Sequence, residues 1–320
     1  MKLLRRLLAT SLLLAAPLST AWAQGYPEQP IKMIIGFAAG GPTDAIGRFL
    51  AKEMSTSLGQ NVIVDNKPGV TGLIGLEALA ASKPDGYTVL LLPNVTTVAL
   101  LAQDKPLDID KRFSAIGSTI VQPTVVVVNP KVADVKNMAE LEAYFRANPG
   151  APYTSSGHGS PSHMVVTVFA KRRGLNVTHI SHKGIQPALL DVIAGRIGVL
   201  ITDASQAGAH VKAGTLRVIA SGGSVRSTMF PNVPTTGEQG IEDFEYEGTN
   251  GLVAPPGTPA PVIQKLAAAL KKAVEGEGFV AMSAQGGNKA VFSDARTFRD
   301  VLEKDYNRWA RLKREAGELK

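Results

Sequence analysis

Ile31-Lys32-Met33-Ile34-Ile35 runs directly into Gly36-Phe37-Ala38-Ala39-Gly40-Gly41-Pro42-Thr43, and a helical-period segment, Asp44–Leu58, follows. Four of the first five residues are apolar and three are β-branched, which reads as a strand. The next eight are a glycine-rich loop, and the loop empties into a helix N-terminus. The same order recurs near the middle of the chain. A short strand around Tyr153 leads into Thr154-Ser155-Ser156-Gly157-His158-Gly159-Ser160, and Pro161 opens a helix over Pro161–Arg173. Proline is favoured at the first helical position, which makes Ser160 the N-cap.

A helix N-terminus presents unpaired N–H groups and the positive end of the helix dipole, so it attracts an anion. Glycines let the backbone curl so that consecutive amides reach one ligand oxygen, and Thr154, Ser155, Ser156 and Ser160 add hydroxyl donors. A hydrogen bond to a charged group contributes about 1.5–3 kcal/mol. Four or five of them hold a carboxylate with no buried arginine or lysine. Either loop alone would pass for an ordinary strand-to-helix turn. The duplication and the hydroxyl enrichment together favour anion binding.

Outward from these loops the chain alternates strands with helices, the pattern of an α/β protein. Strands are expected at Val62–Val64, Thr88–Leu92, Ala115–Ile120, Thr124–Val128, Val177–Ile180, Val199–Thr202, Leu216–Ala220 and Gly251–Ala254. Further helices are expected at Met138–Asn148, Pro187–Ala194 and Pro261–Glu275. In the last helix Phe298, Val301, Leu302, Tyr306, Trp309 and Leu312 share one face, which assigns Trp309 to the core.

The 320 residues suggest two domains of about 150 residues each. No cysteine occurs, which excludes disulfides, cysteine-ligated zinc, iron–sulfur clusters and thiol nucleophiles. Met1–Ala23 reads as a signal peptide: Lys2, Arg5 and Arg6, then an apolar run over Leu7–Leu18, then Ala21-Trp22-Ala23 before Gln24. Cleavage after Ala23 and a periplasmic location are expected. Pro17 breaks the run short of the roughly 20 apolar residues a spanning helix needs. Without this segment, 31 basic residues face 27 acidic ones, a surplus of +4. So small a surplus, spread along the chain, suits a small anion better than nucleic acid.

Nucleotide and hydrolase readings fail on the residues themselves. Gly41-Pro42-Thr43 lacks the lysine of a phosphate loop, and no G-x-G-x-x-G turn follows the first strand. Pro161 stands where a nucleophile elbow needs its second glycine. His158 and His163, and His179 and His182, are poorly spaced as metal ligands, with no acidic cluster to join them. No metal and no cofactor is expected, and no enzymatic activity.

In this order the motifs resemble the periplasmic solute-binding proteins of tripartite tricarboxylate transporters, the Bordetella uptake gene (Bug) family. The likeness runs along essentially the whole chain after residue 23. It rests on Tyr26-Pro27-Glu28-Gln29-Pro30-Ile31-Lys32, on the loop Phe37–Asp44, and on Leu58-Gly59-Gln60, Asp65-Asn66-Lys67-Pro68-Gly69 and Lys83-Pro84-Asp85-Gly86-Tyr87-Thr88. Gly159-Ser160, His163, His182-Lys183-Gly184, Pro187-Ala188-Leu189, Val233-Pro234-Thr235 and Ala254-Pro255-Pro256-Gly257-Thr258-Pro259 extend it.

The resemblance implies a two-domain venus-flytrap fold with crossing hinge strands. One domain would take 24–122 plus 247–320, the other 123–246. It implies a monomer that captures a small carboxylate, of two or three carboxyl groups or aromatic, and hands it to a large and a small integral membrane subunit. A carboxylate-sensing subunit feeding a two-component system is the competing reading. Ala39, Gly40, Gly41, Thr43 and Asp44 would form one clamp, and Thr154, Ser155, Ser156, Gly159 and Ser160 the other. Thr96, Thr97, His182 and Asp203 would face the same cleft. Three positions depart from the family: Ala39 replaces a usual proline, His182 a tyrosine and Thr249 a tryptophan. The last two make the cleft more polar, which suits a ligand with a second polar end. Asp203 would either accept from a ligand hydroxyl or amine, or hold loop amides in place.

Overall fold

Ser114–Val128 forms one continuous strand of 15 residues where the sequence pattern suggested two. Pro123 reads as a break because it has no N–H to donate, yet it stays in register opposite Glu247. It marks the point where the strand changes neighbours. Ser114–Pro123 pairs with Glu247–Ala254, whereas Thr124–Val128 pairs with Val199–Asp203 and Arg217–Ser221. This strand joins the two halves of the molecule.

The computed structural model describes residues 25–317 apart from 104, 105, 159, 183, 242, 243 and 245. The expected signal segment and its cleavage point lie outside the described residues. In chain order the elements are β1 (Ile31–Ile35), α1 (Pro42–Leu58), β2 (Val62–Asn66), α2 (Leu73–Ala80), β3 (Thr88–Pro93), α3 (Asn94–Ala99), α4 (Ile109–Arg112), β4 (Ser114–Val128), α5 (Met138–Ala147) and β5 (Ala151–Ser155). Then come α6 (Pro161–Arg172), β6 (Val177–Ser181), α7 (Ile185–Ile193), β7 (Val199–Asp203), α8 (Ala204–Lys212), β8 (Arg217–Ser221) and β9 (Glu247–Ala254). The chain ends with α9 (Ala260–Glu275), α10 (Glu277–Gln285), β10 (Lys289–Ala290) and α11 (Ala295–Ala316). The expected strands and helices are present. Helices α2, α3, α4, α8 and α10 were not anticipated. Their segments are short and carry little periodicity.

The strands run β2-β1-β3-β9-β4-β7-β5-β6, with β8 and β10 also paired to β4. Each half is a parallel βαβ section: β2, β1 and β3 on one side, β7, β5 and β6 on the other. The antiparallel strands β9 and β4 lie between them. Helices cover both faces, and so β1 is apolar almost throughout, with Ile31, Met33, Ile34 and Ile35 buried and Lys32 exposed.

Helix α11 crosses from one half to the other. Phe298 and Leu302 pack with Ile34, Leu90 and Leu92, whereas Trp309 and Leu312 pack with Val126, Tyr153 and Val199. A close backbone approach seats its first turns. A Cβ on Gly251 would lie 2.2 Å from Phe298 Cζ and 2.6 Å from the Gly117 carbonyl. Only glycine fits there.

Candidate ligand-binding site

A cavity of about 200 Å3 opens where the C-terminal ends of β3 and β7 meet the crossing strands β4 and β9. Ligand crevices in open α/β sheets form at such carboxyl edges. The N-terminus of α1 supplies Pro42 and Thr43 to its wall, and the start of α3 supplies Asn94, Val95 and Val98. Gln122 and Thr124 come from β4, Asp203 from the end of β7, Tyr246 from the segment entering β9 and Trp309 from α11.

The first loop is held from behind by Asp44. Its Oδ2 accepts from Gly40 N at 2.9 Å and from Arg48 Nε at 2.8 Å, and its Oδ1 accepts from Asn66 Nδ2 at 2.9 Å. Asn66 Nδ2 also donates to the Phe37 carbonyl at 3.1 Å. These bonds, foremost the one from Arg48, hold the buried Asp44 carboxyl down to about 2. Asp44 therefore shapes the loop and keeps its carboxylate out of the cavity. Gly40 takes φ +83°, which lets the turn around Ala39 and Gly41 close. Proline at Pro42 has no N–H, and the first helical bond runs from Ala45 N to the Gly41 carbonyl. The amides of Thr43 and Asp44 precede that bond, at the positive end of a 17-residue helix.

Helix α3 is turned differently from the expectation. Thr96 and Thr97, expected on the cleft, are buried on the opposite side. Thr97 donates to the Asn94 carbonyl at 2.7 Å, and Thr96 Oγ1 sits against Gly72. Their neighbours Asn94, Val95 and Val98 line the cavity instead, because apolar Leu100 and the α2 helix claim the threonine face. Asn94 knits the floor together. Its Nδ2 donates to Asp305 Oδ2 at 2.9 Å and to the Glu247 carbonyl at 3.1 Å, and its Oδ1 accepts from Thr249 N at 3.2 Å. Burial raises the Asp305 carboxyl, opposed mainly by Arg308.

The second loop keeps its hydroxyls largely to itself. Ser160 is the N-cap expected of it, accepting from His163 N at 3.3 Å. Thr154, Ser155 and Ser156 were also expected to face an anion, and the hydroxyls of Thr154 and Ser155 are committed elsewhere. Thr154 Oγ1 donates to the Ile180 carbonyl at 2.8 Å. Ser155 Oγ lies 2.7 Å from His179 Nε2 and 3.0 Å from the Gly157 carbonyl. Ser156 offers its carbonyl to Gly184 N at 3.0 Å. Gly159 lies outside the described residues. His182, also expected at the cleft, has both ring nitrogens engaged: Nδ1 with Thr154 Oγ1 and Nε2 with Asp191 Oδ2, each at 2.8 Å. Of this loop's surroundings Pro161 is the residue on the cavity wall.

Three histidines cluster beside the loop: His163 stacks on His179 with ring centroids 4.0 Å apart, and His158 lies tilted against His163 at 4.6 Å. Burial, then the neighbouring His158, brings His163 down to about 4. Among the described residues no group of three or more acids and histidines is arranged to hold a metal ion.

Asp203 and Thr43 are the expected residues that do reach the cavity. Trp309, Tyr246, Asn94 and Gln122 reach it unannounced. Trp309 is buried and in contact with the core, as its helical spacing implied, but it also lines the cavity.

This geometry agrees with the comparison to known proteins. Residues 46–317 match the family model described as "Tripartite tricarboxylate transporter family receptor". The chain belongs to that family. BugT of Bordetella pertussis, a member-like relative, is 34% identical over 309 residues, which cover 95% of this chain and 93% of BugT. The crystal structure of a TctC solute-binding protein from Polaromonas superposes with a TM-score of 0.81 at 27% identity, covering 91% of this chain and 99% of that one. An R. palustris protein solved with adipate shares the fold at a TM-score of 0.70 and 24% identity, over 91% of this chain and 98% of its own. The tricarboxylate-transporter receptor fold is thus the α/β two-section architecture described above. Among the described residues, no helix of this receptor is long and apolar enough to cross a membrane.

Proposed function

We propose that this receptor captures a small carboxylate between its two halves in the periplasm and delivers it to a large and a small integral membrane subunit. The carrying observation is the α1 N-terminus at the cavity, where Pro42 and Thr43 line the wall and the amides of Thr43 and Asp44 precede the first helical hydrogen bond. Such a site selects a carboxylate by neutral donors and the helix dipole. The adipate bound to the R. palustris protein supports a carboxylate ligand, and the receptor family supports delivery over sensing. Residues 24–122 with 247–320 would form one lobe and 123–246 the other, in a monomer. They would close about the point where β4 and β9 cross.

Thermal-shift screening of residues 24–320 against a carboxylate library tests the reading. A ligand at 100 times its Kd adds about 2.7 kcal/mol of stability. Small-angle scattering with the best ligand should then show a smaller radius of gyration. A library in which no carboxylate raises the melting temperature would overturn the proposal.

A further inference from the structure

Asp305 stands one turn before Trp309 on α11 and does not itself line the cavity. Two residues that do line it are nevertheless bonded to its carboxylate. Asn94 Nδ2 donates to Asp305 Oδ2 at 2.9 Å, and the Trp309 indole N–H donates to the same carboxylate. Arg308 Nη2 adds a bond to Oδ1 at 3.1 Å, and its guanidinium lies 5.0 Å from the indole centroid. Residues three and four apart share a helix face, so Arg308 and Trp309 can both reach back to Asp305. One carboxylate thus gathers three donors from two elements, α3 and α11.

These bonds use up the donors of both wall residues. Asn94 has two amide hydrogens. One goes to Asp305 and the other to the Glu247 carbonyl at 3.1 Å, while its Oδ1 accepts from Thr249 N at 3.2 Å. An indole has a single N–H, and that of Trp309 is spent on Asp305. Neither ring nor amide can turn without breaking a bond to the carboxylate. Through Glu247 and Thr249 the same network holds the start of β9, one of the two crossing strands.

The position requires charge as well as shape. An asparagine there would bring one acceptor oxygen to three donors, and its own N–H groups would face those of Asn94 and Arg308. The Asp305 side chain is only 14% exposed. A buried ion pair adds little to stability compared with a well-packed apolar filling, which leaves orientation as the gain.

We propose that Asp305 is a positioning residue for ligand binding, acting through Asn94 and Trp309 to present a preformed cavity wall whose amide and indole hydrogens are turned away from the ligand. This rests on the carboxylate-capture reading above, in which ligand enters this cavity. A wall fixed before ligand arrives spares the cost of ordering those side chains on binding.

Trp309 is the single tryptophan of residues 24–320, so labelling its indole with nitrogen-15 gives one N–H resonance. In the wild type that resonance should lie downfield and exchange slowly with water, as an N–H held by a carboxylate does. In Asp305→Asn it should move upfield and exchange faster. Calorimetry should show the tightest of succinate, adipate and benzoate bound about tenfold more weakly by that variant. Asp305→Glu, which keeps the charge, should recover part of the affinity. A purely structural role would lower the melting temperature without moving the indole resonance or the affinity of the folded protein. Should Asp305→Asn fail to fold, Asp305→Glu decides, because its longer arm should displace the resonance and weaken binding together. An unmoved resonance, or a moved one with wild-type affinity, would overturn the inference and leave carboxylate capture standing. If none of the three acids binds the wild type, capture and the positioning role fall together.

Discussion

The indole of Trp309 meets the phenol of Tyr246 edge-on, with ring centroids 5.6 Å apart and ring planes at 89°. Both rings border the cavity, and the Arg308 guanidinium lies 5.0 Å from the indole centroid on another side. The pair comes from distant parts of the chain and connects the C-terminal helix to the segment entering β9.

That contact makes the protein its own reporter. Trp309 is the single tryptophan in residues 24–320. Ligand entering the cavity should change its polarity and quenching, so emission should shift in a saturable way with the same Kd as calorimetry. Trp309→Phe should silence the signal and weaken binding. Unchanged emission at a ligand concentration that saturates the thermal shift would place the site elsewhere.

Asp44 is expected to act through the loop it holds. Asp44→Ala removes the acceptor of three hydrogen bonds, two of them to the loop and its Asn66 support, and should cost about 2 kcal/mol with a loss of ligand affinity. Its folded pKa of about 2 lies below the ordinary 3.8. The stabilisation is therefore complete above the ordinary value and disappears as pH falls through about 2. Urea midpoints between pH 5 and 2 should fall less steeply in Asp44→Asn than in wild type.

His163 acts in a higher window and with the opposite chemistry. It is neutral when folded down to about 4, whereas the unfolded chain protonates it near 6.5. The unfolded state thus binds the extra proton between those values, and stability should fall as pH drops from about 6.5 to about 4. His163→Phe should keep the stacking on His179 and flatten this slope. An unaltered slope in the variant would assign the acid sensitivity to another group.

Ser160 caps α6 through its bond to His163 N. Ser160→Ala should lower stability by about 0.5–2 kcal/mol. If the second loop also touches ligand, affinity falls further than the cap loss explains. Unchanged affinity with reduced stability would confine Ser160 to the cap.

Gly251→Ala should be among the more damaging small substitutions, because the new Cβ would overlap Phe298 and approach the Gly117 carbonyl. Overpacking of this kind costs about 1–3 kcal/mol. Phe298→Ala, which empties a buried aromatic site, should cost about 3–5 kcal/mol. Together the two should cost less than their sum, since truncating the ring removes the clash. Strict additivity in denaturant unfolding would show that the carbonyl contact alone carries the penalty.

Local order was legible in the sequence because it depends on neighbours along the chain. Ile31–Ile35 is apolar at every position but Lys32, Pro42 and Pro161 stand in the first turns of their helices, and Ser160 precedes its helix by one residue. Strand and helix follow from such patterns without knowing what lies across the sheet. The two glycine-rich loops with their helix N-termini, and the α/β class, were readable on those grounds. Side-chain direction was not. Thr96 and Thr97 carry the hydroxyls that suggested a cleft, but packing against α2 turns α3 so that Asn94, Val95 and Val98 face it. Thr154 and His182 lie 28 positions apart in the chain, and only parallel pairing of β5 with β6 brings them to 2.8 Å and commits them to each other. Trp309 shows the same division. Its helical spacing foretold burial, while its place on the cavity wall depends on α11 crossing from one half of the molecule to the other. Periodicity determines which face of an element is apolar. What that face meets is decided by contacts between residues far apart in sequence, and these exist only once the chain has folded.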